Sequence, residues 1–208
     1  MKTVVIAASI VAILLVVLAG CRMLSRRRTE ATISVTAKLP GKVAIVYFSQ
    51  SKVQNTALVA KWIQKHIGGE LVEVLPVVPY PDAYSNTLKE ANRERKEGTP
   101  REIQPVALPD DCEVVFIGSP IWYGTFAPPI ATFLKRNPLA GKTVVPFCTH
   151  GGGGAGHFEQ DVKEACPEAK VLPGFAARGS NQIERRLGSG VEAHHTEDDV
   201  VIWLNGLF

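Results

Sequence analysis

The sequence predicts an α/β fold in which helices cover both faces of a five-stranded parallel sheet. Three observations point there. Apolar runs of strand length alternate with segments of helical periodicity. The first run, Val43 to Phe48, is apolar at every position, as a strand buried on both faces requires. The unusual loops all follow strands, and in such sheets ligands sit beyond the carboxyl ends of the strands.

The elements follow in order. After Val43–Phe48, Asn55-Thr56 open a helix in which Leu58, Val59, Trp62, Ile63 and Ile67 recur at helical spacing until Gly68-Gly69 stop it. Leu71 to Leu75 is the second strand, and Pro76 to Pro81 a loop. Ala83 to Lys96 is polar and reads as an exposed helix, ended by Gly98 and Pro100. A loop from Pro105 to Pro109 leads to the third strand, Val114 to Ile117, which ends in Gly118-Ser119-Pro120. Pro128-Pro129 begin the helix that runs to Lys135, since proline fits a first helical turn. Thr143 to Cys148 is the fourth strand, Phe158 to Ala165 a helix closed by Pro167, and Lys170 to Leu172 the fifth strand. Val191 to Leu204 reads as a last amphipathic helix.

Ahead of this domain stands KTVVIAASIVAILLVVLAGC (Lys2 to Cys21), which is apolar all round and so does not suit a globular helix. Two membrane readings remain open. Leu18-Ala19-Gly20-Cys21 resembles a bacterial lipobox, with Cys21 as the lipidated first residue of an exported lipoprotein. Alternatively the stretch is an uncleaved signal anchor long enough to span a bilayer. Arg22, Arg26, Arg27 and Arg28 outnumber Lys2, which would then keep the domain in the cytoplasm. The expected organisation is a membrane segment with its basic flank (1–28), a linker (29–41) and the α/β domain (42–208).

Charge supports that division. The 208 residues carry a formal net charge of +3, yet five of the 23 basic residues precede Thr29 and all 20 acidic ones follow it. The remainder holds 18 basic against 20 acidic residues, a balance of −2. A nucleic-acid binder keeps its basic excess on the folded domain, so none is expected as partner. Cys21, Cys112, Cys148 and Cys166 form no CxxC pair or metal-like spacing. No Gly-x-Ser-x-Gly elbow supports a hydrolase. His150 and His157 lack a third metal ligand, and HHTEDD (His194 to Asp199) reads as the acidic start of the last helix.

Three loops carry the chemistry. Ser49-Gln50-Ser51-Lys52-Val53-Gln54-Asn55-Thr56 puts hydroxyls and free N–H groups at a helix start, an anion site that is neither a Walker A nor a GxGxxG motif. Ser119 to Thr125 offers Trp122 and Tyr123 as flat rings after a buried strand. Cys148 to His157 contains four consecutive glycines, a run that is costly unless the backbone must pass close to something. Phosphate, plane and polar edge together describe flavin mononucleotide (FMN).

With those residues in view, the chain from about Lys42 onward resembles the flavodoxin family, in the branch with PIWxGT and CTxGGxG loops. The corresponding segments are SPIWYGT (Ser119 to Thr125) and CTHGGGG (Cys148 to Gly154), joined by IVYFSQS and by FAARGS (Phe175 to Ser180). The resemblance implies a flavodoxin-like three-layer sandwich with strand order 2-1-3-4-5. By position it implies that Ser49, Ser51, Asn55 and Thr56 hold the phosphate. Pro120, Trp122, Tyr123 and Gly124 would meet the ring, and Thr149, Gly151, Gly152 and Gly153 its polar edge. One departure stands out: the family's loop is commonly Ser-x-Thr-Gly-Asn-Thr, and this one lacks the glycine and is longer, with Lys52-Val53-Gln54 inserted. The expected function is electron transfer through bound FMN, at the membrane, to a redox partner protein or a small acceptor, with no catalytic side chain. Two alternatives stand beside it: an NAD(P)H-dependent quinone or nitro reductase on the same fold, and a flavin-free binding module.

Overall fold

A computed structural model describes residues 34–36, 39–179 and 197–208. The membrane segment, most of the linker and the start expected for the last helix lie outside the described residues. Among the described residues no helix is long and apolar enough to cross a membrane.

The first strand, β1 (Lys42–Tyr47), leads into helix α1 (Asn55–Ile67) and then β2 (Glu70–Glu73). Helix α2 (Tyr84–Glu97) precedes β3 (Cys112–Trp122), β4 (Thr125–Phe126) and α3 (Pro128–Arg136). Strand β5 (Thr143–His150), α4 (Phe158–Ala165), β6 (Lys170–Val171), β7 (Phe175–Arg178) and α5 (Glu197–Asn205) follow among the described residues. Alternation along β1 divides two cores. Ala44, Val46 and Phe48 face the side where Ala91 of α2, Phe133 of α3 and Val162 of α4 pack. Val43, Ile45 and Tyr47 face Val59 and Ile63 of α1 and Val200 and Leu204 of α5. Sheet and two helical layers make the expected sandwich.

The sheet runs β2-β1-β3-β5-β6, all parallel, which preserves the expected order once the short β4 is passed over. It has seven strands rather than five. β4 is the antiparallel return of a hairpin from β3. The outer edge is two pieces: β6 pairs with Thr143-Val144, and β7 pairs with Phe147 to His150. The break falls at Pro146, which has no N–H to donate, near Gly174, where a Cβ would come within 3.0 Å of the Pro146 carbonyl oxygen.

Two strands outrun their sequence-based ends. β3 continues through Ser119-Pro120-Ile121-Trp122, which were expected in a loop, because Ser119 and Pro120 stay in register with β5 and Ile121 and Trp122 pair with β4. β5 continues through Thr149-His150, paired with Ala177 and Arg178. Glycines close α1 and α2 as expected: Gly68 (φ 72°) and Gly98 (φ 65°) return their N–H groups to Gln64 and Glu94. Within the stretch expected as a tether, Thr36 donates its N–H to Asn205 Oδ1 (2.8 Å), and Asn205 Nδ2 donates to the Ser34 carbonyl (3.1 Å).

Candidate functional site

A cleft of about 490 Å³ opens at the carboxyl ends of the central strands. It draws on the β1–α1 loop, the α2 start, the end of β3, the end of β5 and the end of β7. Of the residues expected at the site, Ser51, Asn55, Thr56, Pro120, Trp122, Thr149 and Gly151 line it. Ser49, Tyr123, Gly124, Gly152 and Gly153 do not reach its wall.

The β1–α1 loop leaves a helix start open. Gln54 at the N-cap takes the left-handed conformation (φ 53°, ψ 44°), and its own side chain makes no capping bond. Ser51 Oγ accepts the Asn55 N–H and Ser49 Oγ the Ala57 N–H, each at a long 3.4 Å. The Thr56 N–H has no partner among the described residues. No acid stands in the first turn, so nothing there opposes an anion at the positive end of the helix dipole. Thr56 Oγ1 meets Thr149 Oγ1 at 2.8 Å, which joins the first loop to the end of β5.

The aromatic pair divides. Trp122 is buried, 4% exposed, because β3 carries it back into the core. It stands edge-on to Phe48 (5.6 Å, 87°) and to Tyr80 (5.2 Å, 90°), and it walls the cleft. Tyr123 and Gly124 form the two-residue turn of the β3–β4 hairpin, both at positive φ (54° and 84°). A primed turn of that kind matches the twist of its strands, which accounts for glycine at 124. Tyr123, 51% exposed, donates its hydroxyl to the Leu88 carbonyl (3.1 Å). Tyr84 at the α2 start is an aromatic residue of the cleft that sequence reasoning missed. Burial, and then the nearby Tyr123 hydroxyl, push its phenol pKa up, so the two tyrosines are neighbours.

The glycine loop wraps a histidine. His150 Nδ1 accepts the N–H of Gly152 (3.1 Å) and that of Gly154 (3.2 Å). Both of those glycines have positive φ (122° and 78°). Gly151 and Gly153 do not, and a Cβ on either would meet open space. Farther on, the His157 N–H reaches the Gly124 carbonyl at 2.7 Å, and Gly156 packs directly on Gly124. The second and third loops are thereby stitched together.

Two cations also line the cleft, Lys52 from the first loop and Arg178 from β7, and so does Asp82. None has an ion pair among the described residues. Arg178 lies in FAARGS, where resemblance marked the segment but β7 itself was not expected. Beneath the cleft Cys148 is 1% exposed, and burial pushes its thiol up to about 12, so it stays protonated. Among the described residues no cluster of three metal-ligating side chains occurs.

A family model described as Flavodoxin matches residues 42–193. No curated protein sequence matches the chain. Among solved structures, a Bacteroides eggerthii protein provisionally named a flavoprotein is 26% identical, with TM-score 0.64, over 81% of this chain and 98% of its own. A flavoprotein of Lactobacillus acidophilus NCFM, solved in complex with FMN, is 25% identical with TM-score 0.56, over 71% of this chain and 98% of its own. A Bacteroides uniformis protein, also provisionally named a flavoprotein, shares the fold at 22% identity and TM-score 0.64, over 80% and 99% of the two chains.

Proposed function

The chain belongs to the flavodoxin family, and on that footing we propose that it holds FMN in the cleft and passes electrons through it. The observation that carries the reading is convergence. A hydroxyl-lined helix start with no acid in its first turn, an aromatic wall and Gly151, with open space around it, meet in one cleft. Bound FMN supplies reversible uptake of one or two electrons.

The residues present suit that group. The Ser51 hydroxyl, the N–H groups at the α1 start and the Lys52 ammonium would hold the phosphate, with Ser49 behind them on the Ala57 N–H. Trp122 and Tyr84 would bound the ring, and the apolar flank of Pro120-Ile121 would exclude water. Thr149 and the glycine amides would meet the polar edge. The half-exposed Tyr123 beside Tyr84 offers a contact for a redox partner protein or a small acceptor at the mouth. Membrane attachment through residues 1–28 belongs to the same proposal, and fractionation of cells expressing the chain should find it with the membranes.

The test uses the full chain in mild detergent, stripped of flavin and mixed with excess FMN. After washing, a retained flavin spectrum with quenched fluorescence is expected, at one FMN per chain. Riboflavin, which lacks the phosphate, should be retained far less. A folded protein that stays colourless would overturn the reading.

A further inference from the structure

Resemblance aligns Gly151, Gly152 and Gly153 equally with the polar edge of a flavin. The geometry separates them. Two backbone N–H groups, from Gly152 and Gly154, point at one imidazole nitrogen, His150 Nδ1. An N–H cannot accept, so Nδ1 must be bare and the ring proton must sit on Nε2. Both amides are therefore committed inside the chain. The N–H groups of Gly151 and Gly153 make no hydrogen bond among the described residues. Glycine at 152 and 154 is explained by positive φ. Glycine at 151 and 153 is not: neither φ nor a protein neighbour forbids a side chain. A ligand lying close to the backbone would forbid one.

We propose that His150 is a positioning residue for the cofactor site. Its Nδ1 gathers the Gly152 and Gly154 amides, and that leaves the Gly151 N–H, at the cleft wall, and the Gly153 N–H, two residues beyond it, as the pair that meets the flavin edge. The proposal rests on the FMN reading above. It assigns no contact with the flavin to His150 itself, and it removes Gly152 from the expected contacts.

The test compares wild type with His150→Ala and His150→Asn, all as full chains. Asparagine carries an acceptor oxygen on Cγ, close to where Nδ1 stands. FMN affinity is read by fluorescence quenching and melting temperature separately. Amide shifts of glycine-labelled wild type are followed as FMN is added. Alanine should weaken FMN about tenfold, the loss of two ordinary hydrogen bonds, with little change in melting temperature. Asparagine should restore most of the affinity. The Gly151 and Gly153 amides should shift most, and those of Gly152 and Gly154 little. Equal affinity in all three proteins, or a dominant Gly152 shift, would overturn the proposal and leave the FMN reading standing. Failure of wild type to bind FMN at all would overturn both.

Discussion

Gln54 shows how a single residue reshapes the cofactor loop. The family pattern puts glycine before Asn55, and here a glutamine takes the left-handed conformation in its place (φ 53°). Such backbone costs an ordinary residue about 1–2 kcal/mol. Part is offset locally, because Gln54 Nε2 donates to the Ser51 carbonyl at 2.8 Å. The loop thus departs from the family pattern in its length and in the residue before Asn55, and it still brings the α1 start to the cleft through Asn55 and Thr56. Gln54→Gly should stay within about 1 kcal/mol of wild type, since relief of strain balances the lost bond and the added chain entropy. Gln54→Val should lose about 2 kcal/mol, because a β-branched side chain tolerates positive φ poorly. Urea denaturation of both variants decides it, and equal losses would show that the left-handed turn is not what the position demands. A close approach of another kind governs Gly118, which a reading by turn propensity puts at the start of a loop. It lies inside β3, where a Cβ would come within 2.1 Å of the Phe147 ring on β5.

At the scale of elements, Arg101 gathers the segments that frame one side of the cleft. Its Nη2 meets Glu90 (2.5 Å) and Glu94 (2.6 Å) of α2, and its guanidinium lies 3.9 Å from the centre of the Tyr80 ring. Nη1 donates to the Val78 carbonyl at 3.0 Å, and the Arg101 carbonyl accepts the Thr132 hydroxyl of α3 at 2.7 Å. Tyr80 donates to Glu94 at 2.6 Å. Burial opposes the charge on Arg101, but its bonds to Glu90 and Tyr80 and the Glu94 carboxylate raise its pKa nonetheless. Arg101→Met would leave Glu94, 8% exposed, buried without its cation. A loss of about 3 kcal/mol or more is expected, with weaker FMN binding because α2 carries Tyr84 and Thr87 into the cleft. Arg101→Lys should rescue little, since an ammonium lacks the planar fork. Melting temperature and FMN titration together check this, and an unchanged stability for the methionine variant would refute it. Nothing in the sequence linked Arg101 to Glu90 and Glu94, because pairing through a bend after the helix leaves no periodic signal. The helices were legible, since spacing, glycine stops and the Pro128-Pro129 start are local features. Strand ends were not: Ser119-Pro120 and Thr149-His150 have turn composition, and only the neighbouring strand keeps them extended. β7 was hidden for the same reason, behind Pro173-Gly174.

For the whole molecule, the sheet needs cover on both faces, and α5 supplies it at the end of the chain. Val200 and Leu204 enter the core beside α1. Trp203 stacks on Phe175 (5.2 Å, 27°) and stands edge-on to Phe116 (6.0 Å, 86°), which joins α5 to β7 and β3. Its far end is held by Asn205 through Ser34 and Thr36. Its start is held by Glu197, which meets Lys65 at 2.6 Å and His66 at 2.5 Å at the end of α1. The Lys65 ammonium, and after it the His66 ring, hold the Glu197 carboxyl below its ordinary value of 4.5. A carboxyl with a lowered folded pKa stabilises the fold fully above that ordinary value, and the contribution vanishes as pH falls through the lowered one. Lys65 is 65% exposed, so solvent screening keeps the contribution under about 1 kcal/mol. Glu197→Gln should therefore melt slightly below wild type at pH 7, with the gap closing as pH drops below about 4.5. Melting curves of both proteins across that range check the sign. A gap that stays constant down to pH 3 would mean that α5 is held by Trp203 and its apolar face alone, with no share carried by the ion pair at its start.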